Sequence, residues 1–149
     1  MSANFAAFIE QSAFRPPMVD PIARIERERA GMPAKTAETL RKNMGVSVSQ
    51  FSRLLGIAEA TFKKKVADGE PLTGRYGDAV ADLGEILATV RGVLSPEQQD
   101  FDVSRWFAEW ILIPQPSLDG RNPADILDTP TGRQLVKRLV GAFGSGAYL

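Results

Sequence analysis

The sequence predicts an all-α fold, and three observations carry that prediction. Apolar residues recur at three- and four-residue intervals along most of the chain. No segment shows the period-two alternation of a half-buried strand. The breaks between periodic segments fall on glycine, proline or a capping residue.

Residues 1–19 read as an arm: Phe5, Phe8, Ile9 and Phe14 have helix-like spacing, and Pro16-Pro17 stop whatever precedes them. The arm is expected to be either a short docking helix or a disordered extension. Asp20 to Ala30 is charged, with Ile22 and Ile25 as its large apolar residues, and is broken by Gly31 and Pro33. AKTAETLRKNMG, residues 34–45, is rich in helix formers and puts Ala37, Leu40 and Met44 on one face.

Ser47-Val48-Ser49-Gln50 has the form of a capping box. The helix it opens is expected to bury Val48, Phe51, Leu54 and Leu55 and to end at Gly56. A second helix, about 58–67, turns Phe62 and Val66 inward and Lys63, Lys64 and Lys65 largely outward. Helix, glycine turn, helix is the pattern of a helix-turn-helix unit, whose second helix offers its N-terminal side chains to a DNA major groove. Thr61, Lys63, Lys64 and Lys65 are the candidate DNA-facing residues of that helix. Ser49 and Gln50 open the first helix, where side chains and free N–H groups can reach a phosphate. Glu59, near the tip, opposes this.

Residues 76–93 form an amphipathic helix with the stripe Ala79, Leu83, Ile86, Leu87 and Val90. Ser95-Pro96-Glu97-Gln98 reads as a second helix start. Phe101, Val103, Trp106, Phe107, Trp110 and Ile111 follow at helical spacing, and the two tryptophans are read as core rather than as a nucleic-acid platform. Pro114 and Pro116 end that helix. Asn122-Pro123 caps a short helix, PADILD, and Thr129-Pro130 caps the last, roughly 130–143, with Leu135, Val136, Leu139, Val140 and Phe143 inward. The expected organisation is an arm over 1–19, a helix-turn-helix unit over 20–75 and a small helical unit over 76–149.

Composition narrows the function. The 149 residues include neither histidine nor cysteine, which removes the common nucleophile–base pairs, thiolate metal sites and disulfides. No metal or other cofactor is expected. The chain shows neither an apolar run long enough to span a bilayer nor a secretory leader, so a cytoplasmic location and no membrane partner are expected. The formal net charge is zero but unevenly spread, with an excess of Lys and Arg from Arg24 to Arg75 and a matching acidic excess elsewhere. The last ten residues, VGAFGSGAYL, are uncharged, small and tipped with Tyr148 and Leu149. They suit either fraying or acceptance by a partner.

The stretch WILIPQPSLDGRNPADILDTPTGRQLV, Trp110 to Val136, resembles the toxin-binding domain of the Xre/MbcA/ParS antitoxins. The ordered positions are Trp110, Pro114, Leu118, Gly120, Pro123, Leu127, Thr129, Gly132, Val136, Leu139 and Gly146. The preceding helix-turn-helix, with its LLGI turn, is similar to that family's N-terminal region, so the resemblance covers about residues 30–149. One departure is Lys63-Lys64-Lys65, where family members commonly carry arginine; lysine lacks the bidentate fork that reads guanine.

The resemblance implies a type II toxin–antitoxin system. The partner would be a toxin acting on NAD, a RES-domain NAD-degrading enzyme or an ADP-ribosylating relative. The C-terminal segment would block the toxin's active-site cleft, and the antitoxin or its complex would repress its own operon. On that footing the candidate toxin contacts are Arg133 and Lys137, with Arg138, on the outer face of the last helix, and Gly141, Gly144, Ser145, Gly146, Ala147, Tyr148 and Leu149. The glycines would allow close backbone approach and Tyr148 would supply a flat anchor. A homodimer within a hetero-oligomeric complex is expected, with two recognition helices about 34–36 Å apart on operator DNA.

Two other readings stay open at this point. One is a stand-alone transcriptional regulator with a helical dimerisation domain. The other is an enzyme using Asp125 and Asp128 as a carboxylate pair, against which stands the absence of any base beside Ser145.

Overall fold

The computed structural model describes residues 20–145. The expected arm, 1–19, and the end of the expected plug, Gly146 to Leu149, lie outside the described residues. Seven α-helices are described: α1 (Pro21–Ala30), α2 (Ala34–Met44), α3 (Val48–Leu55), α4 (Glu59–Asp68), α5 (Gly74–Gly92), α6 (Val103–Trp110) and α7 (Pro130–Gly141). Strand-like pairing among these residues is limited to one isolated bridge, in which Met32 and Leu72 exchange two backbone bonds of 2.8 Å. That bridge ties the entry of α2 to the loop after α4.

Local chemistry accounts for the helix ends. Asp20 accepts from the Ile22 N–H at 3.0 Å, with Pro21 at the first helical position. At Ser47 the capping box forms in full: Gln50 N–H donates to the Ser47 hydroxyl, and Ser47 N–H donates to Gln50 Oε1, both at 3.0 Å. Gly56 ends α3 with φ 69°, a left-handed conformation that suits glycine. Thr129 accepts from Gly132 N–H at 3.0 Å and opens α7.

α5 is the centre of the molecule. Its expected stripe is buried, but so are Gly77, Val80, Ala81, Gly84 and Ala88 on its other faces. α1, α3, α6 and α7 all pack on it. One continuous apolar cluster runs from Met32 through Phe51, Phe62, Leu83 and Phe107 to Val140. The sequence boundary at residue 75 therefore falls inside the first turn of the helix that carries the shared core.

Three expectations are corrected. The Ser95 signal opens a single 3-10 turn, Pro96–Gln98, in place of a long helix. A second cap, Asp102, accepts from Arg105 N–H at 3.1 Å and restarts the chain as α6, leaving Phe101 exposed in the connection. PADILD likewise keeps only one 3-10 turn, Pro123–Asp125. Leu135, expected inward, is 40% exposed, because the buried side of α7 runs through Gly132, Arg133, Val136 and Val140.

Gly132 has a steric reason. A Cβ there would overlap the carbonyl oxygen of Ile126, which also accepts from the Thr129 hydroxyl at 3.2 Å. Gly132→Ala is expected to cost about 3 kcal/mol, a fall in Tm of roughly 6–12 °C. A thermal melt indistinguishable from wild type would contradict this packing.

Candidate functional site

The helix-turn-helix geometry follows from two contacts. The Phe51 and Phe62 rings meet with centroids 5.6 Å apart, locking α3 against α4. Arg41 bonds both Glu38 and, at 2.8 Å, the Val46 carbonyl, which fixes the link from α2 into α3. The Arg41 guanidinium also holds the Glu38 carboxyl below its ordinary pKa.

The expected DNA-facing residues share an exposed surface, with qualifications. Ser49, Gln50, Thr61, Lys63 and Lys64 are exposed and Lys65 is partly covered. Gln50, however, spends its N–H and its side-chain carbonyl on the capping box, so neither is free for a phosphate. All three lysines already face carboxylates: Lys63 to Glu59 at 3.0 Å, Lys64 to Asp68 at 3.1 Å, Lys65 to Glu70 at 3.6 Å. Such exposed pairs contribute about 0–1 kcal/mol each, weak enough for a phosphate to displace them. The positive surface inferred from the lysines alone is thus largely neutralised in the free protein. The i,i+4 spacing of Glu59–Lys63 and Lys64–Asp68 was the available signal.

An aromatic cluster joins α6 to the end of α7. Trp106 and Trp110 stack with centroids 5.7 Å apart and planes at 20°. Phe143 stands edge-on to both rings, at 5.7 Å and 5.6 Å. Phe143 sits in the 3-10 turn Ala142–Ser145 that follows α7. Gly141 ends α7, where a Cβ would meet the Thr89 methyl at 3.7 Å, and Gly144-Ser145 follow Phe143 in the same 3-10 turn.

Between α6 and α7, the proline loop is organised by Gln115. This residue is 2% exposed and central to the turn. Its N–H donates to the Arg121 carbonyl at 3.1 Å and its carbonyl accepts from Leu118 and Gly120 N–H at 3.0 Å. Its side-chain amide donates to the Ile113 carbonyl at 3.0 Å. Nothing in the local sequence flags Gln115, which lies between two prolines.

The last helix presents Lys137 and Arg138 to solvent as expected, but not Arg133. Arg133 is buried, not outward. Its Nε donates to Asp82 at 2.8 Å and its Nη1 to the Leu127 carbonyl at 3.1 Å. Arg133 shares a helix face with Val136 and Val140, three and seven residues on, and that buried face of α7 packs on α5. Lys137 is half exposed and pairs with Glu85 at 3.2 Å. Both line a cleft of about 320 Å³ where α1, α5 and α7 meet, along with Arg24, Arg27, Glu28 and Asp78. Burial, and secondarily Glu28, push the Asp78 carboxyl up. Ion pairs line this cleft, one within α1 (Arg24–Glu28, 3.2 Å) and two between α5 and α7 (Asp82–Arg133, 2.8 Å; Glu85–Lys137, 3.2 Å). Asp125 sits in its own 3-10 turn, and Asp128 backs the Gly56 turn, where a Cβ would come within 3.3 Å of the Asp128 Cβ. The two are not assembled as a reacting pair. Among the described residues no group of His, Cys, Asp or Glu is arranged to hold a metal, and no helix is long and apolar enough to cross a membrane.

Arg133→Ala is expected to destabilise the fold by about 2–3 kcal/mol, since it strands Asp82 and the Leu127 carbonyl. Chemical denaturation reads this directly. A variant with wild-type stability would assign the guanidinium a surface role instead.

Comparison with known proteins agrees with this geometry. The family model "Antitoxin Xre-like helix-turn-helix domain" matches residues 23–81, and "Antitoxin Xre/MbcA/ParS C-terminal toxin-binding domain" matches residues 101–146. A curated relative, the Prs ADP-ribosylating antitoxin of Sphingobium sp. (strain YBL2), is 29% identical over 130 residues, covering 86% of this chain and 82% of the relative. A chain from the crystal structure of the M. tuberculosis MbcT–MbcA toxin–antitoxin complex superposes with TM-score 0.54 at 19% identity, covering 78% of this chain and 96% of that one. At that identity the likeness speaks for the fold. With a helix-turn-helix match and a toxin-binding match in the order the structure builds them, this chain belongs to the Xre/MbcA/ParS antitoxins.

Proposed function

We propose that this protein silences an NAD-consuming toxin, of the RES or ADP-ribosyltransferase kind, by inserting residues 144–149 into the toxin's active-site cleft. It has no catalytic activity of its own in this reading and works in the cytoplasm. The observation that carries the proposal is the aromatic seat of Phe143, with ring contacts of 5.7 Å and 5.6 Å to Trp106 and Trp110. A plug competes best when its root is held, because the entropy of ordering it is then already spent on folding. The sequence beyond the seat, GSGAYL, offers small residues for close approach and one aromatic to anchor. The name of the Sphingobium relative, which joins antitoxin to ADP-ribosylation, supports the chemistry assigned to the partner.

The helix-turn-helix is proposed to bind operator DNA and so to repress the protein's own operon. Thr61, Lys63, Lys64 and Lys65 contact DNA after exchanging their carboxylate partners for phosphates. Ser49 supports them at the start of α3, with Gln50 contributing only its side-chain NH2. This part of the molecule is separate in chemistry from the plug, and a homodimer would bring two copies to one site.

Removal of residues 144–149 tests both halves while leaving Phe143 in place. Co-expressed with the product of the adjacent reading frame, the full chain is expected to suppress NAD loss and the shortened chain to permit it. Binding of the shortened chain to the duplex upstream of its own gene is expected to be unchanged. Equal suppression by both forms would overturn the plug.

A further inference from the structure

Two neighbouring aliphatic side chains stand in solvent inside the region that matches the toxin-binding family: Leu112, 60% exposed, and Ile113, 53% exposed. Neither contributes to the core, yet the backbone beneath them is fixed. Leu112 N–H donates to the Glu109 carbonyl at 3.2 Å and Ile113 N–H to the Trp110 carbonyl at 3.0 Å. The Ile113 carbonyl accepts from the buried Gln115 side chain at 3.0 Å. Ile111, the residue before them, is buried and its carbonyl accepts from Ala124 N–H at 2.9 Å. Exposing two large aliphatic groups on a rigid loop brings the fold no burial, and a partner that covers them gains area without paying to order the loop.

Position gives the occupant. Ile113 N–H donates to the Trp110 carbonyl at 3.0 Å, so the exposed pair belongs to the turn that closes directly on Trp110. Trp110 in turn holds Phe143, the root of the proposed plug, with ring centroids 5.6 Å apart. The exposed pair is therefore tied by one backbone turn to the residue that seats Phe143, inside the stretch that matches the toxin-binding domain. Asp119 and Arg121, an exposed ion pair at 3.7 Å, belong to the same loop and supply a polar margin.

We infer that Leu112 and Ile113 are a second toxin contact, an apolar anchor that seats on the rim of the cleft into which the plug enters. The inference rests on the antitoxin reading. Two side chains are too small a surface to hold a second copy of this chain, since a stable dimer buries about 800 Å² per partner. As an extension of an interface already anchored by the plug they are sufficient, because large aliphatic side chains on an ordered loop add burial with little further ordering cost.

The test is the double variant Leu112→Glu/Ile113→Glu, with Ile22→Glu as an equally exposed control on α1. Affinity for the product of the adjacent reading frame is measured by calorimetry, with the thermal melt and solution mass of each chain alone. The expected result is wild-type melting and mass, and affinity weakened by about 100-fold. The control is expected to bind as wild type does. Unchanged affinity in the double variant would overturn the inference and leave the antitoxin reading standing. Equal loss in the control would also overturn it, as would a change in solution mass, which would assign the pair to self-association. Failure of the wild-type chain to bind would overturn the antitoxin reading and this inference with it.

Discussion

Burial of α5 on nearly all its faces is the constraint on which the remaining structure depends. A helix of 19 residues has ten of them buried, and small residues at Gly77, Ala81, Gly84 and Ala88 let neighbours approach on the sides that a single apolar stripe would leave open. α3 reaches it from the helix-turn-helix side, α6 and α7 from the toxin-binding side, and α1 lies across it. Polar groups at its margin are drawn into the same role. Asp82 receives Arg133 and Glu85 receives Lys137, so the cations of α7 hold two helices together.

That arrangement sets what each surface can do. The helix-turn-helix turn rests on the other half through Gly56 against Asp128, so its two helices sit on a braced support. On α6, which packs on both α2 and α5, the stacked tryptophans hold Phe143 at the end of α7. In the proposed reading, both binding surfaces are carried by exposed segments, while the buried residues between them hold the fold together. The charged cleft between α1, α5 and α7 belongs to that interior logic, since its arginines and lysine face carboxylates of the same chain.

Much of this was legible in the sequence because it is written in short-range patterns. The box at Ser47, the stop at Gly56 and the cap at Thr129 depend on residues within one turn, and each formed as read. The signal at Ser95 had the same local form but was overruled by Asp102, a competing cap seven residues later that the apolar periodicity had hidden. What escaped depends on distant partners. Asp82 and Arg133 are 51 residues apart, and only packing of α7 on α5 turns an apparent surface cation into a buried one. The reach of α5's burial was missed for a related reason: glycines and alanines carry little periodic signal, yet they decide how closely neighbours pack. The family motif gained a physical meaning from the structure, with Gly132 explained by the Ile126 carbonyl and the proline loop by Gln115.

The central claim is that the toxin is met at one end of the molecule, around the seat of Phe143, while the helix-turn-helix stays free. Amide hydrogen exchange of the full chain, alone and with the product of the adjacent reading frame, tests it residue by residue. The account predicts added protection over residues 111–115 and from 141 onward, with α3 and α4 unchanged. Protection gained across α3 and α4, with none at the other two segments, would contradict it.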